Sequence, residues 1–259
     1  MGDLEIVRIE EIVREASHTL TYSFRTSFGG GPGQFVMVWI PRHDELPMAL
    51  SHLGEVKGIT VQAMGDATRA FAEFRVGDRI GVRGPYGNVF QVRGESCLFV
   101  GGGTGAASLI AAIEAFAAAG KRVTTVLAAK TAEQLIFEER AARSGPVQVA
   151  TDDGSKGFKG FATPLAEQLL DGGDFDQVVT CGPEPMMYGI VAAARKRGLP
   201  VQASLERYMK CGVGICDACA FDADLVCVDG PIFEGPRLAV SKDFGHWRRD
   251  RSGVRIQMH

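Results

Sequence analysis

Four of the six cysteines fall in one glycine-bearing stretch, Cys211-Gly-Val-Gly-Ile-Cys216-Asp-Ala-Cys219, followed by Cys227. Thiolates bind soft or borderline metals, and their spacing indicates which one. Three on one tight loop with a fourth further on follow the C-x4-C-x2-C…C order of plant-type [2Fe–2S] sites, where the loop wraps two irons and the distal sulfur closes the cage. Zinc sites usually bring two C-x2-C pairs about a dozen or more residues apart, and here only Cys216 and Cys219 make such a pair. Gly212 and Gly214 suit a loop that bends sharply and turns its amides toward sulfur. Cys211, Cys216, Cys219 and Cys227 are therefore the expected cluster ligands, with zinc, disulfides or inert thiols as the alternatives.

A second feature is Gly101-Gly102-Gly103-Thr104-Gly105, between the apolar run Cys97–Val100 and an alanine-rich stretch. A glycine loop leading into a helix offers unhindered amides and a helix N-terminus, which together attract a pyrophosphate. The full G-x-G-x-x-G pattern is not met, since Ala106 stands at its last position. A plain strand-to-helix turn is the competing reading. Cys181-Gly182-Pro183 and Thr151-Asp-Asp-Gly-Ser155 follow other apolar runs, placing two more special turns on the same carboxyl edge, where open α/β sheets bind ligands.

Stepping outward, the 259 residues suffice for two domains and an appendage, and 46% hydrophobic with 23% charged residues describes a globular chain. A net charge of -3 leaves no basic footprint for nucleic acid. There is no apolar run of about eighteen residues, and the acidic, alternating start does not read as a signal peptide, so no membrane partner is expected. Thiols grouped for metal point to a reducing cytoplasm.

Three zones follow. Residues 1–93 alternate in short runs separated by Gly/Pro turns, as in an antiparallel β-barrel. Residues 94–203 alternate strand and helix, as in a parallel-sheet α/β domain, with strands at Cys97–Val100, Arg122–Ala128, Pro146–Thr151 and Gln177–Thr180. Residues 204–259 carry the cysteines and have too little apolar content for a core of their own, so a metal cluster is expected to staple them. The predicted fold class is thus α+β multidomain: barrel, nucleotide-binding sheet and small [2Fe–2S] domain.

In that order these parts resemble the ferredoxin–NADP reductase superfamily, and within it the electron-transfer subunits of two-subunit, NAD-linked dihydroorotate dehydrogenases. The resemblance is carried by Pro32-Gly-Gln-Phe35, Ser51, Gly65-Asp-Ala-Thr68, Gly84-Pro-Tyr-Gly-Asn88, Gly101 to Gly105, Gly157-Phe-Lys-Gly160, Cys181-Gly-Pro183, Ser204-Leu-Glu-Arg207, the four cysteines and Asp229-Gly-Pro-Ile-Phe233. It implies FAD on the barrel, NAD(H) on the sheet and the cluster beside the flavin. The family's Arg-x-x-Ser flavin segment matches Met48, Ala49, Leu50 and Ser51, so Met48 stands where the arginine is expected and a bidentate phosphate contact is lost. Thr60, Val61 and Gln62 match the flavin-lining strand, and Gly65 and Thr68, with Arg69 nearby, offer another phosphate hold. Cys181 and Gly182 match the turn that approaches the nicotinamide. Cys97 reads as a core residue, and His52 as a solvated loop histidine.

The resemblance also implies a function. Nicotinamide exchanges two electrons as hydride and a [2Fe–2S] centre passes one, so a flavin between them converts. The partner is an FMN-containing catalytic subunit that oxidises dihydroorotate in pyrimidine (UMP) biosynthesis, in an expected two-plus-two heterotetramer. This chain is then an NAD-linked oxidoreductase subunit without catalytic residues of its own for the pyrimidine, and no triad or paired-carboxylate motif is present. Met209 and Ile215 are the expected apolar docking residues. Alternatives are a diaphorase subunit of a sulfhydrogenase or anaerobic sulfite reductase, and a cluster-containing redox sensor or binding module. NAD against NADP stays open, with Lys130 near the expected ribose, as does the direction of electron flow.

Overall fold

The computed structural model describes residues 3–258; Met1, Gly2 and His259, the extreme ends of the first and last expected domains, lie outside the described residues. The first seven strands are β1 (Glu5–Arg8), β2 (Glu11–Ala16), β3 (Thr19–Arg25), β4 (Phe35–Trp39), β5 (Glu45–His52), β6 (Val56–Gln62) and β7 (Arg79–Tyr86). They pair antiparallel in the order β1-β7-β4-β5-β6-β3-β2. Alternation along the strands sends Phe24, Val36, Val38, Ile59 and Val82 to one shared interior. The sheet curls around it until Glu10 N donates to Ser23 O at 2.8 Å and Ile9 N to Asp78 O at 2.9 Å. Helix α1 (Asp66–Phe71) closes this interior, with Phe71 stacked on Tyr22 at 4.1 Å.

The chain then changes period. In order come β8 (Ser96–Gly102), α2 (Gly105–Ala118), β9 (Arg122–Ala129), α3 (Glu138–Ala142), β10 (Val147–Thr151), β11 (Phe158–Lys159), α4 (Ala162–Gly172), β12 (Gln177–Cys181), α5 (Glu184–Lys196) and β13 (Val201–Ser204). The strands lie parallel in the order β11-β10-β9-β8-β12-β13. Central strands of such sheets are apolar throughout because both faces are covered. In β8, Leu98 and Val100 join the core with α4 and α5, while Cys97 and Phe99 join the core with α2.

The last elements are β14 (Ala220–Phe221), β15 (Asp224–Leu225), α6 (Val226–Asp229), β16 (Ile232–Glu234), α7 (Gly235–Ala239), β17 (Trp247–Arg249) and β18 (Arg255–Gln257). Strand β16 adds antiparallel to β13, Phe233 opposite Ala203, and Phe221, Val226, Phe233 and Phe244 enter the core under α4 and α5. The zone has no core of its own, as its composition requires, yet the thiol loop is not its sole anchor: the neighbouring sheet's core holds it as well. Arg207 of the Ser204-Leu-Glu-Arg207 run reinforces this attachment. It is buried, donates through both terminal nitrogens to the Glu184 carboxylate that opens α5, and lies 5.3 Å from the Phe221 ring centroid. Gly245 N donates to the same carboxylate at 2.8 Å. Among the described residues no helix is long and apolar enough to cross a membrane.

Candidate functional site

The thiol loop bends at Gly212 (φ +70°) and Gly214 (φ +77°), where only glycine rests without strain. Space demands glycine too: a Cβ on Gly212 would lie 2.9 Å from Met37 Cγ, and one on Gly214 2.8 Å from Val228 Cγ2. These bends turn the backbone inward. Val213 N and Ile215 N donate to Cys211 Sγ at 3.4 and 3.3 Å, Gly214 N to Cys227 Sγ at 3.3 Å and Cys227 N to Cys219 Sγ at 3.4 Å.

The four thiols gather at this loop: Cys216 neighbours Cys211, and Cys227 neighbours both Cys219 and Cys211. Among the described residues no three His, Cys, Asp or Glu side chains converge as ligands of a single ion. A two-iron group spread over four thiolates, with amides donating to the sulfurs, fits this loop better than one zinc does. Burial opposes ionisation of Cys211, but the amides of Val213, Ile215 and Cys216 outweigh it and bring the thiol down to about 6. Burial and the adjoining Cys219 push Cys227 up to about 12. A bound metal would take the thiol protons that remain and so relieve the crowding at Cys227.

Cys219 and Cys227 are buried while Cys216 is exposed, so the thiols lie just beneath the surface. Ile215 is 80% exposed there, with Val228 beside it at 55%. Met209, expected at the same surface, is instead 5% exposed and belongs to the core.

Two motifs read separately in the sequence prove to be one clasp beside this loop. Asn88 Nδ2 donates to Ile232 O at 2.9 Å, Ile232 N donates back to Asn88 Oδ1 at 3.0 Å, and Asn88 N donates to Gly230 O at 2.8 Å. Gly87 is obligatory because its Cβ would sit 2.4 Å from Pro231 Cδ. The clasp fixes the barrel to the segment that follows Cys227. Nearby, Arg83 on β7 holds Glu45 through two hydrogen bonds of 2.6 Å and reaches Tyr86 Oη at 3.2 Å.

The glycine loop occupies the carboxyl edge of the parallel sheet. Gly103 has φ +54° with no heavy atom within 4 Å of a would-be Cβ, and no side chain caps the N-terminus of α2. Open space over a left-handed glycine at an uncapped 14-residue helix fits a pyrophosphate. Gly102 and Gly105 serve packing: a Cβ on Gly102 would meet Met186 Sδ at 2.7 Å, and one on Gly105 would meet Cys181 O at 2.4 Å. Gly182 (φ +152°) lies against Gly102 in turn, so the two turns form one edge, with Gly101 paired to Cys181. Thr104 precedes α2 as its N-cap. Burial raises the Cys181 thiol to about 11, so it remains a neutral, packing thiol at physiological pH. Cys97 is likewise raised by burial and lies in the core. Lys130 is exposed, its carbonyl accepting from Asp153 N at 3.2 Å.

In the expected flavin segment Met48, Leu50 and Val61 turn into the barrel core, so contact from these positions is left to their backbone. Ala49 and Gln62 are half-buried on the opposite face. Ser51 and Thr60 are joined at 2.9 Å. Thr68 Oγ1 accepts from Met64 N and Gly65 N, and Arg69 is held by Asp66 at 2.7 Å, so both already serve α1. A Cβ at Gly65 would meet nothing within 4 Å, which leaves its backbone open. His52 is not a solvated loop residue: Arg140 Nη1 lies 2.9 Å from its Nε2, and Arg140 is held by Glu114 at 2.6 and 2.7 Å. Burial and then Arg140 lower the His52 pKa. This link between β5 and helices α2 and α3 had no sequence signal, since its members are scattered along the chain.

Residues 206–239 match the family model described as the iron–sulfur cluster binding domain of dihydroorotate dehydrogenase B. The chain is 44% identical, over 97% of its own length and of the relative's, to a probable dihydroorotate dehydrogenase B (NAD(+)), electron transfer subunit, of Methanocaldococcus jannaschii. It belongs to this family. A relative of the same name from Thermoplasma volcanium is 42% identical over 98% of each chain. The solved structure of an NADH-dependent reduced ferredoxin-NADP oxidoreductase is similar with a TM-score of 0.82 and 31% identity, covering 91% of this chain and 90% of the other. The flavohem-like FAD/NAD binding domain of nitric oxide dioxygenase from Vibrio cholerae shares the fold at a TM-score of 0.66 and 22% identity, covering 75% and 93%.

Proposed function

We propose that this family member passes electrons between the FMN-bearing catalytic subunit of a dihydroorotate dehydrogenase and NAD, in pyrimidine biosynthesis. The observation that carries the reading is the gathering of Cys211, Cys216, Cys219 and Cys227 at one loop whose inward amides donate to the sulfurs of Cys211, Cys219 and Cys227, on a chain that also offers a nucleotide edge. We assign these four cysteines to a [2Fe–2S] cluster. Gly103, Thr104 and the start of α2 are assigned to the NAD pyrophosphate, Cys181 and Gly182 to its nicotinamide end, and Ser51, Thr60, Gln62 and Gly65 to FAD.

The cofactors, when bound, exchange hydride and single electrons. The chain's residues hold them. The Gly101–Gly105 loop binds phosphate through backbone amides, Cys181 packs without ionising, and the Asn88 clasp holds the thiol segment against the barrel. On this reading residues 1–93 are the flavin domain, residues 94–203 the nucleotide domain and residues 204–259 the cluster domain, in a cytoplasmic complex of two subunits of each kind.

A second reading keeps the cofactors and changes the partner. It is favoured by the 31% identity to the ferredoxin-NADP oxidoreductase. Co-purification separates the two: an FMN-bearing subunit that confers dihydroorotate-dependent NAD reduction supports the first, and a complex without that activity contradicts it.

A further inference from the structure

Antiparallel sheets that pack one face on a core ordinarily turn polar residues to water, and the outer face of β1, β7 and β4 does not. Val38 and Val82 point into the barrel, so Trp39, Gly81 and Ile6, which are paired in one row across the three strands, stand on the opposite face. Leu4, Ile6 and Trp39 are 49%, 54% and 40% exposed. A Cβ on Gly81 would lie 2.9 Å from Leu4 Cδ1 and 3.0 Å from Trp39 Cε3, so both side chains lean over that glycine. Contiguous exposed apolar side chains mark a contact surface, where scattered single ones do not.

Charge sets this face apart as well. Arg8 and Arg79 are both exposed and stand directly opposite one another, two residues along from the row of Ile6 and Gly81. They share the outer face, because the pair between the two rows, Val7 and Ile80, points inward. Among the described residues neither arginine forms an ion pair, whereas Arg83 on the same strand holds Glu45. Like charges directly opposite in a sheet destabilise it, so the isolated chain carries a repulsion that an acidic neighbour would relieve.

The place of the patch says what that neighbour is. On the same face of β4, Phe35 and Met37 are covered by the segment that carries the cysteines, in one core with Met209, Cys219 and Cys227. Trp39 is the next outward position, two residues or about 7 Å beyond Met37. The bare patch thus continues the strip on which the thiol loop rests, and electrons can cross to a second protein only where that protein comes close to this loop. We propose that Leu4, Ile6 and Trp39, with Arg8 and Arg79, form a docking surface for the FMN-bearing catalytic subunit, which meets it with an apolar contact flanked by carboxylates; the inference rests on the function proposed above. Tryptophan and arginine are among the residue types that dominate binding energy at interfaces.

The test uses the purified, cofactor-loaded chain and the purified FMN subunit, with calorimetry for affinity and stopped flow for association. Trp39→Ala should weaken binding by about tenfold or more. Arg8→Glu should also weaken binding, slow association and flatten its dependence on salt. The same change sets a carboxylate opposite Arg79, so the denaturant midpoint of the isolated chain should rise. Misfolding cannot both strengthen the free chain and weaken the complex. Parental affinity in both variants would overturn the docking surface alone. So would a dimer of the isolated chain, seen by sedimentation and lost in Trp39→Ala, because a second copy would then cover the patch. A parent chain that forms no complex with the FMN subunit would overturn the function and the docking surface with it.

Discussion

The cysteines carry the strongest residue-level expectation, because their spacing in the chain already restricts which metal they can wrap. Cys219→Ser should abolish or severely weaken the [2Fe–2S] spectrum while sparing FAD; a normal reduced-state EPR signal from that protein would argue against the assignment. Gly103 tests the nucleotide edge. A valine there must hold φ +54°, costly for a β-branched residue, and fills the space left for a pyrophosphate, so NADH bleaching of the flavin should slow by about tenfold or more. Stopped-flow absorbance at the flavin band checks this, and unchanged nucleotide affinity would make the loop a turn only. At this scale spacing was legible and side-chain direction was not. Met48 and Val61 follow the flavin segment in sequence, yet strand parity sends both inward, and Thr68 is spent on two local amides.

Among the elements, the change of period from two to 3.6 near residue 95 separates barrel from parallel sheet in the sequence alone. The expected strand at Arg122–Ala128 is observed at Arg122–Ala129. What sequence could not reveal were contacts between distant segments. The clasp of Asn88 on Ile232 joins residues 144 apart, and β16 joins the sheet through a pairing that no local pattern encodes. The Arg207–Glu184 pair belongs with these, since each residue alone reads as a surface charge. Both side chains are under one-tenth exposed, and removing one partner strands the other charge in the interior. Glu184→Ala should therefore lower stability by roughly 3 kcal/mol or more, read from the denaturant midpoint of the intact protein. A change below about 0.5 kcal/mol, typical of surface sites, would mean that water reaches Arg207.

For the whole molecule, the expected order of barrel, nucleotide sheet and thiol segment matches the observed order of elements, and the chain's length matches that of its relatives almost end to end. The two residues expected to be exposed beside the thiols divide: Ile215 is exposed and Met209 is not, because the alternation that would distinguish them is missing in an irregular loop. Ile215→Asp should weaken association with the FMN subunit by about tenfold or more, as loss of a central apolar contact does. NADH-to-dye activity of the isolated chain should persist. Unimpaired binding, measured by calorimetry with the partner, would move the interface elsewhere.

Conduction within one chain from nicotinamide through flavin to an iron–sulfur centre is tested most directly by an anaerobic NADH titration followed by absorbance and low-temperature EPR. Bleaching of the flavin together with the signal of a reduced [2Fe–2S] cluster, integrating to one spin per chain, is the expected result. A flavin that bleaches while no such signal forms, or a thiol loop found loaded with zinc, would contradict it.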